Sequence, residues 1–306
     1  MGKRNKRVLG VDLGNHNVKT SEKKIFRSAF EEFDYKHEIL SDDVIVYEGR
    51  KYVIGKGGFD NTKVKSEKKN TIPLLLNAIY QSVGNSCLNI SLVVGLPLEH
   101  HKNKTLVKEI KDMYTGVFEF KYVEGCNTYD VVYDIQEVFV FPECLGAFYS
   151  LNEDMTDRDV LLIDIGGGTV NIALFSDGEY DDSITLQDGT NDLYRQIVAK
   201  ANFVNTGASF DVENILKFMK RGKIKWDGKM DSMPYVNEFT SKFAIEIVNE
   251  IKGKFPLYKS YDIMLSGGGV DLLKDSLSKI INFKVVDDNI FANAIGFYNV
   301  GAGMDE

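Results

Sequence analysis

The chain has 306 residues, 43% of them hydrophobic and 27% charged, with five prolines and a formal net charge of −8 at pH 7. That is room for two domains of ordinary size and a substantial core, without a long proline-rich linker. The acidic balance disfavours a surface that binds nucleic acid directly, and no apolar run is long enough to span a membrane.

The basic start, Met1-Gly2-Lys3-Arg4-Asn5-Lys6-Arg7, precedes an apolar run that stops at Asp12, too early for the core of an export signal. It reads as a solvated lead-in to the first strand. Val11-Asp12-Leu13-Gly14-Asn15-His16-Asn17-Val18 is written as a tight hairpin, with an apolar strand ending in Asp, a Gly, small polar residues and a second apolar run. A further hairpin is expected with residues 44–47 and 52–54 on either side of Glu48-Gly49-Arg50-Lys51. Lys63, Lys65, Lys68 and Lys69 form a basic cluster that reads as a solvated loop. Residues 71–83 carry apolar side chains at helical spacing, with Pro73 tolerated in the first turn. A buried strand at 90–94, a helix at 104–114 and strands at 117–123 and 131–141 follow, the last closing at Pro142. His100 and His101 have no ligand partner at helical spacing and read as loop residues. Three widely spaced cysteines, Cys87, Cys126 and Cys144, form no metal-ligand pattern and read as buried thiols of a reducing cytoplasm.

The second half begins again with strands at 160–164, 170–175 and 184–186 and a helix at 191–201. Gly189-Thr190-Asn191-Asp192 precedes that helix, where backbone amides either reach an anion or simply cap the helix. Helices are expected at 211–219 and 236–251, a short strand at 263–266, then Gly267-Gly268-Gly269 and a helix at 272–281. A final helix covers 291–300.

The opening of the second half, Ile163-Asp164-Ile165-Gly166-Gly167-Gly168-Thr169-Val170, repeats the first hairpin about half the chain away. One Asp-Xaa-Gly hairpin is usually only a turn. Duplicated, and joined by a third glycine cluster, it implies two copies of one unit. Glycine at each turn lets backbone N–H groups approach an anion, so two facing turns would grip a polyphosphate with Asp12 and Asp164 beside it. The expectation is an α/β protein of two lobes, each with a mixed sheet backed by helices, around a nucleotide cleft with metal-binding capacity.

Five segments, residues 8–20, 138–147, 161–175, 263–277 and 292–301, resemble the signature segments of the actin, Hsp70 and sugar-kinase superfamily, in order and over nearly the whole chain. Within it, Tyr261-Asp262-Ile263-Met264-Leu265-Ser266-Gly267-Gly268-Gly269 and Asn293-Ala294-Ile295-Gly296-Phe297-Tyr298 are similar to bacterial actin-like plasmid-segregation proteins, the ParM group. The resemblance implies an actin-like fold of two duplicated ribonuclease-H-like lobes, domain I at 1–156 plus 290–306 and domain II at 157–289. It implies a cytoplasmic nucleoside-triphosphate phosphohydrolase that polymerises head to tail into dynamic filaments. The filaments would segregate plasmid DNA through a DNA-binding adaptor protein at a plasmid centromere. The shortness of the chain is expected to exclude an Hsp70-type substrate domain.

For the site, the resemblance implies ATP or GTP with Mg²⁺ held by Asp12 and Asp164, mostly through water. Gly14, Asn15, Asn17 and Lys19 of the first hairpin and Gly166, Gly167, Gly168 and Thr169 of the second would contact phosphates, with Gly189 and Asn191 nearby. Glu143 would orient the attacking water, with Asp164 as its catalytic companion, although a glutamate just after Pro142 also suits a helix N-terminus. Gly267, Gly268 and Gly269 would receive base and ribose, and Glu213 and Lys217 either reach them or face solvent. Phe59, Phe210 and Trp226 are candidates for filament contacts or for simple packing. A small-molecule kinase of the same superfamily and a nonpolymerising, partner-regulated ATPase are the alternatives.

Overall fold

A computed structural model describes residues 6–34, 43–59, 71–85 and 89–304. Lys63, Lys65, Lys68, Lys69, Cys87, the first five residues and the side chain of Phe59 lie outside the described residues.

The chain opens with β1 (Lys6–Leu13), β2 (Asn17–Thr20), β3 (Ile25–Arg27), β4 (Ala29–Asp34), β5 (Val44–Tyr47) and β6 (Arg50–Phe59). Helix α1 (Thr71–Val83), β7 (Asn89–Leu96), α2 (Leu98–His101), α3 (Lys104–Tyr114), β8 (Gly116–Glu124), β9 (Asn127–Pro142) and α4 (Leu145–Tyr149) complete the first half. The second half runs β10 (Asp159–Ile165), β11 (Val170–Ser176), β12 (Glu179–Leu186), α5 (Thr190–Val204), α6 (Val212–Arg221), β13 (Ile224–Trp226) and β14 (Lys229–Asp231). It ends with α7 (Tyr235–Lys254), β15 (Asp262–Ser266), α8 (Val270–Leu277), β16 (Lys284–Val285) and α9 (Ala292–Met304).

Two mixed sheets carry these elements, in the orders β3-β2-β1-β7-β9-β8-β5-β6-β4 and β12-β11-β10-β15-β16. The first five strands of the larger sheet repeat the smaller one. In each, an antiparallel hairpin opens the unit and its first strand pairs in parallel with a later strand, β1 with β7 and β10 with β15. The duplication seen in the sequence is therefore a duplication of topology, and β8, β5, β6 and β4 extend only the first copy.

Strand alternation explains why the site lies between the sheets. Leu9, Val11 and Leu13 of β1 enter one core with Leu75 and Ile79 of α1, while Leu161, Ile163 and Ile165 of β10 enter another with Leu193, Ile247 and Leu273. The opposite faces meet in a shared layer. There Leu162, Ala173 and Phe175 pack with Cys144, Ala147, Phe148 and Ala292, and the Phe148 and Phe175 rings stack 3.8 Å apart. On that face Gly10 admits α9, since a Cβ there would fall 2.1 Å from the carbonyl oxygen of Ala294. Asp12 and Asp164 share the parity of Gly10 and Leu162, so register alone turns both carboxylates towards the space between the sheets.

Several expectations need correction. His100 and His101 lie in the one-turn helix α2, not in a loop, and His101 Nε2 donates to the Val140 carbonyl at 3.1 Å. Cys144 is buried but Cys126 is exposed in the turn between β8 and β9, so the cysteines are not uniformly core residues. Phe210 packs edge-on against Phe218 and Trp226, and Trp226 Nε1 donates to the Thr206 carbonyl at 3.1 Å. Of their two readings, packing is the one these contacts describe, with both rings partly buried against the core of the second half. Among the described residues, no helix is long and apolar enough to cross a membrane.

Candidate functional site

The two hairpins end on one cavity of about 220 Å³, lined also by Glu143 and by Gly267, Gly268 and Gly269. In the first hairpin, β1 and β2 pair Asp12 directly with Lys19. The Lys19 Nζ lies 2.7 Å from Asp12 Oδ2, with both side chains largely withdrawn from water. In the second, Asp164 pairs across the ladder with Asn171. Asn171 accepts a hydrogen bond from Thr185 Oγ1 at 2.9 Å and turns its amide nitrogen to within 3.5 Å of Glu143.

Glycine is required at both turns for the same reason. A Cβ on Gly14 would stand 2.7 Å from the Asn17 carbonyl oxygen, and one on Gly166 would stand 2.9 Å from that of Thr169. Gly267 adopts φ +93°, and a Cβ there would meet Asp164 Oδ1 at 2.4 Å. Gly268 faces open space, leaving backbone accessible from the cavity. The turns also approach each other: a Cβ on Gly168 would overlap Asn15 Nδ2, and one on Gly167 would fall 2.8 Å from His16 Cβ. His16 Nδ1 and Asn191 Oδ1, 3.0 Å apart, bridge the two halves.

Charge is concentrated here. Burial pulls the Lys19 ammonium down, but Asp12, by charge and hydrogen bond, and the more distant Asp164 and Glu143 outweigh it and hold the pKa above its ordinary value. Burial pushes Asp164 up to about 6, against the pull of Lys19 and the hydrogen bond from Asn293. Burial likewise lowers His16, assisted by the charges of Arg27 and Lys19 and opposed by its bond to Asn191.

Asp12, Gly14, Asn15, Asn17, Lys19, Glu143, Asp164, Gly166, Gly167, Gly168, Thr169, Gly267, Gly268 and Gly269 thus line one cavity. Gly189, Asn191, Glu213 and Lys217 are not among its lining residues. The Gly189 amide bonds to the Asp192 carboxylate, and those of Thr190 and Asn191 donate to Gly166 and Gly167 at 3.1 and 2.9 Å. Of the two readings of this segment, the bonds made are a helix cap and a brace for the second turn. Glu213 on α6 instead pairs with Arg27 of β3, and Lys217 is exposed. The sequence missed His16, Pro97, Asn171, Tyr194 and Asn293 as lining residues, and of the segment 189–192 only Thr190 lines the cavity. Asn171 had a signal, because it stands to Asp164 as Lys19 stands to Asp12.

Among the described residues, no group of three or more His, Cys, Asp or Glu forms a metal cage. What the cavity offers is two buried carboxylates beside a gap lined by glycine backbone, a donor set that suits Mg²⁺, which keeps several waters. The attraction of the Lys19 ammonium to three carboxylates shows the same local demand for positive charge.

Residues 10–146 match the family model for the N-terminal domain of actin-like proteins, and residues 162–279 match that for the C-terminal domain of the MreB-like archaeal actin homologue. No curated protein matches the chain. Among solved structures, a ParM in a 15-stranded filament from Clostridium botulinum is similar, with 23% identity, a TM-score of 0.80 and coverage of 98% of this chain and 99% of that one. A non-polymerisable quadruple mutant of pCBH ParM gives 24% identity, a TM-score of 0.78 and coverage of 98% and 100%. The archaeal actin homologue Ta0583 in complex with ADP gives 21% identity, a TM-score of 0.75 and coverage of 97% and 99%. With both halves matched by actin-like family models, and with duplicated hairpins closing on one cleft in a fold shared with ParM, the chain belongs to the actin-like superfamily.

Proposed function

We propose that the protein binds ATP or GTP with Mg²⁺ between its two hairpins, hydrolyses it, and polymerises head to tail into dynamic filaments. The observation that carries this reading is the convergence of both hairpins, with Asp12, Asp164, Lys19 and Glu143, on one glycine-lined cavity. The two-lobe division, residues 1–156 plus 290–306 and 157–289, belongs to the same reading.

Main-chain N–H groups of Gly14, Asn15, Gly166, Gly167 and Gly168 would cradle the phosphates. Lys19 would exchange part of its attraction to Asp12 for the β and γ phosphate oxygens. Asp12 and Asp164 would hold the metal's water ligands, and the bound ion would supply charge neutralisation at the phosphates. Glu143, in the cavity wall and with its backbone amide bonded to the Leu96 carbonyl at 2.7 Å, would orient the attacking water. Gly267 to Gly269 would lie against ribose and base.

The ParM filament structure supports self-assembly as the use of this chemistry, because a heterologous contact that does not close generates a filament. We extend the reading to cytoplasmic plasmid segregation through a DNA-binding adaptor. Light scattering and electron microscopy with Mg²⁺ and ATP, GTP or ADP test it, alongside Glu143→Ala. The expected result is filaments with triphosphate that persist longer in the variant. Tight nucleotide binding without polymer under any nucleotide would favour a small-molecule kinase or a partner-regulated ATPase instead.

A further inference from the structure

Asn293, the second residue of α9, is 7% exposed and lines the cavity, and its amide is hydrogen-bonded at both ends. Nδ2 donates to Asp164 Oδ2 at 2.8 Å. Oδ1 accepts from the backbone amides of Cys144 and Ala147, each at 3.0 Å. We propose that Asn293 is the positioning residue of the nucleotide site, a single side chain that fixes Asp164 directly and Glu143 through the adjacent Cys144. The proposal rests on the nucleotide reading above and assigns a residue that reading does not contain.

The chemistry selects asparagine. The amides of Cys144 and Ala147 stand at the start of α4, where helix geometry leaves donors without intrahelical partners, and both are buried. Oδ1 satisfies the pair. Cys144 has φ +74°, a conformation that residues with a side chain seldom adopt, so its capping bond holds in place a backbone turn that also aims Glu143. The opposite end of the same amide donates to the carboxylate. Aspartate would keep the acceptor but, ionised, would lose the donor and face Asp164 with like charge; alanine would lose both.

The surrounding backbone leaves little play. Helices α4 and α9 cross so closely that a Cβ on Gly296 would overlap the carbonyl of Gly146. The Phe297 ring fills the space over Gly95, where a Cβ would also come within 3.1 Å of Glu143 Cγ. Asn293 sits one turn before this crossing, on the helix that packs against β1 and β7. It therefore ties the carboxylate of the smaller sheet to helices resting on the larger one.

The experiment compares Asn293→Ala and Asn293→Asp in a Cys87→Ser, Cys126→Ser background, which leaves Cys144 as the sole thiol. Maleimide labelling of the nucleotide-free protein reads the α4 cap, and steady-state hydrolysis with varied nucleotide and Mg²⁺ reads the carboxylates. Asn293→Ala is expected to label at least about tenfold faster than the parent, because the buried turn at Cys144 loosens. Asn293→Asp keeps the acceptor and is expected to label within about twofold of the parent. Its kcat should fall about tenfold or more, with KM for nucleotide changed less than about threefold. Parent-like labelling of Asn293→Ala, or parent-like kcat in Asn293→Asp, overturns the assignment of Asn293. Parent protein that neither binds nor hydrolyses nucleotide overturns the nucleotide reading itself.

Discussion

The two hairpins share a backbone and differ in the residue that faces the strand-end acid. Asp12 faces Lys19, and Asp164 faces Asn171 at the equivalent position of its ladder. The first carboxylate thus has a charge partner 2.7 Å away on its own hairpin, whereas the second depends on Asn293 from α9 and on the more distant Lys19. Burial accordingly pushes Asp164 up to about 6. Duplication conserved the glycine turn but not the compensation of its acid, and the asymmetry makes the second hairpin the electrostatically costly one.

The largest test of that contrast is Lys19→Ala. It strips the buried cation from Asp12 and leaves Asp12, Asp164 and Glu143 without their shared partner, an uncompensated burial worth about 3–5 kcal/mol. Urea denaturation at pH 7 should show that loss, and the loss should shrink at pH 5 as carboxylates take up protons; an unchanged midpoint at pH 7 would break the comparison.

Next comes a substitution with opposite signs in the two copies. A carboxyl whose folded pKa is raised contributes stability that is present below its unfolded value near 4 and is lost as pH rises through about 6. Asp164→Asn should therefore stabilise the nucleotide-free protein by about 2–3 kcal/mol at pH 7 and by nothing near pH 3. Asp12→Asn should destabilise it at pH 7, because Lys19 loses its partner. Thermal melts across pH 3–8 measure both.

Gly14→Ala and Gly166→Ala should act alike, since each places a Cβ under 3 Å from a carbonyl oxygen in its own turn. Each should cost about 1–3 kcal/mol in chemical denaturation. A large difference between them would mean that the two turns are not equivalent. The smallest effect is expected for Asn191→Ala, which removes the His16 bridge at a loss of about 1 kcal/mol in the same measurement.

Where periodicity was strong, the sequence specified elements closely: α1 and α3 span the expected 71–83 and 104–114. Both hairpins were legible because a strand ending in Asp-Xaa-Gly is local information. Short elements escaped. Helix α2, the β13–β14 hairpin and β16 are too brief to carry a period, and tertiary packing decides them. Glu213 and Lys217 were placed by resemblance on a helix whose rotation no motif fixes, and Arg27, from the other half of the chain, claims Glu213. Asn293 was visible only as part of a motif. Its three contacts reach residues far away in the chain, and no local pattern encodes a bond to Asp164.

The central claim is that both halves grip one nucleotide. Calorimetric titration of the protein with Mg²⁺ and ATP or GTP tests it most directly, beside Asp12→Asn and Asp164→Asn. The account predicts one nucleotide per chain and an affinity loss of about tenfold or more from either substitution. Undiminished affinity when one of the two hairpins is altered would contradict it.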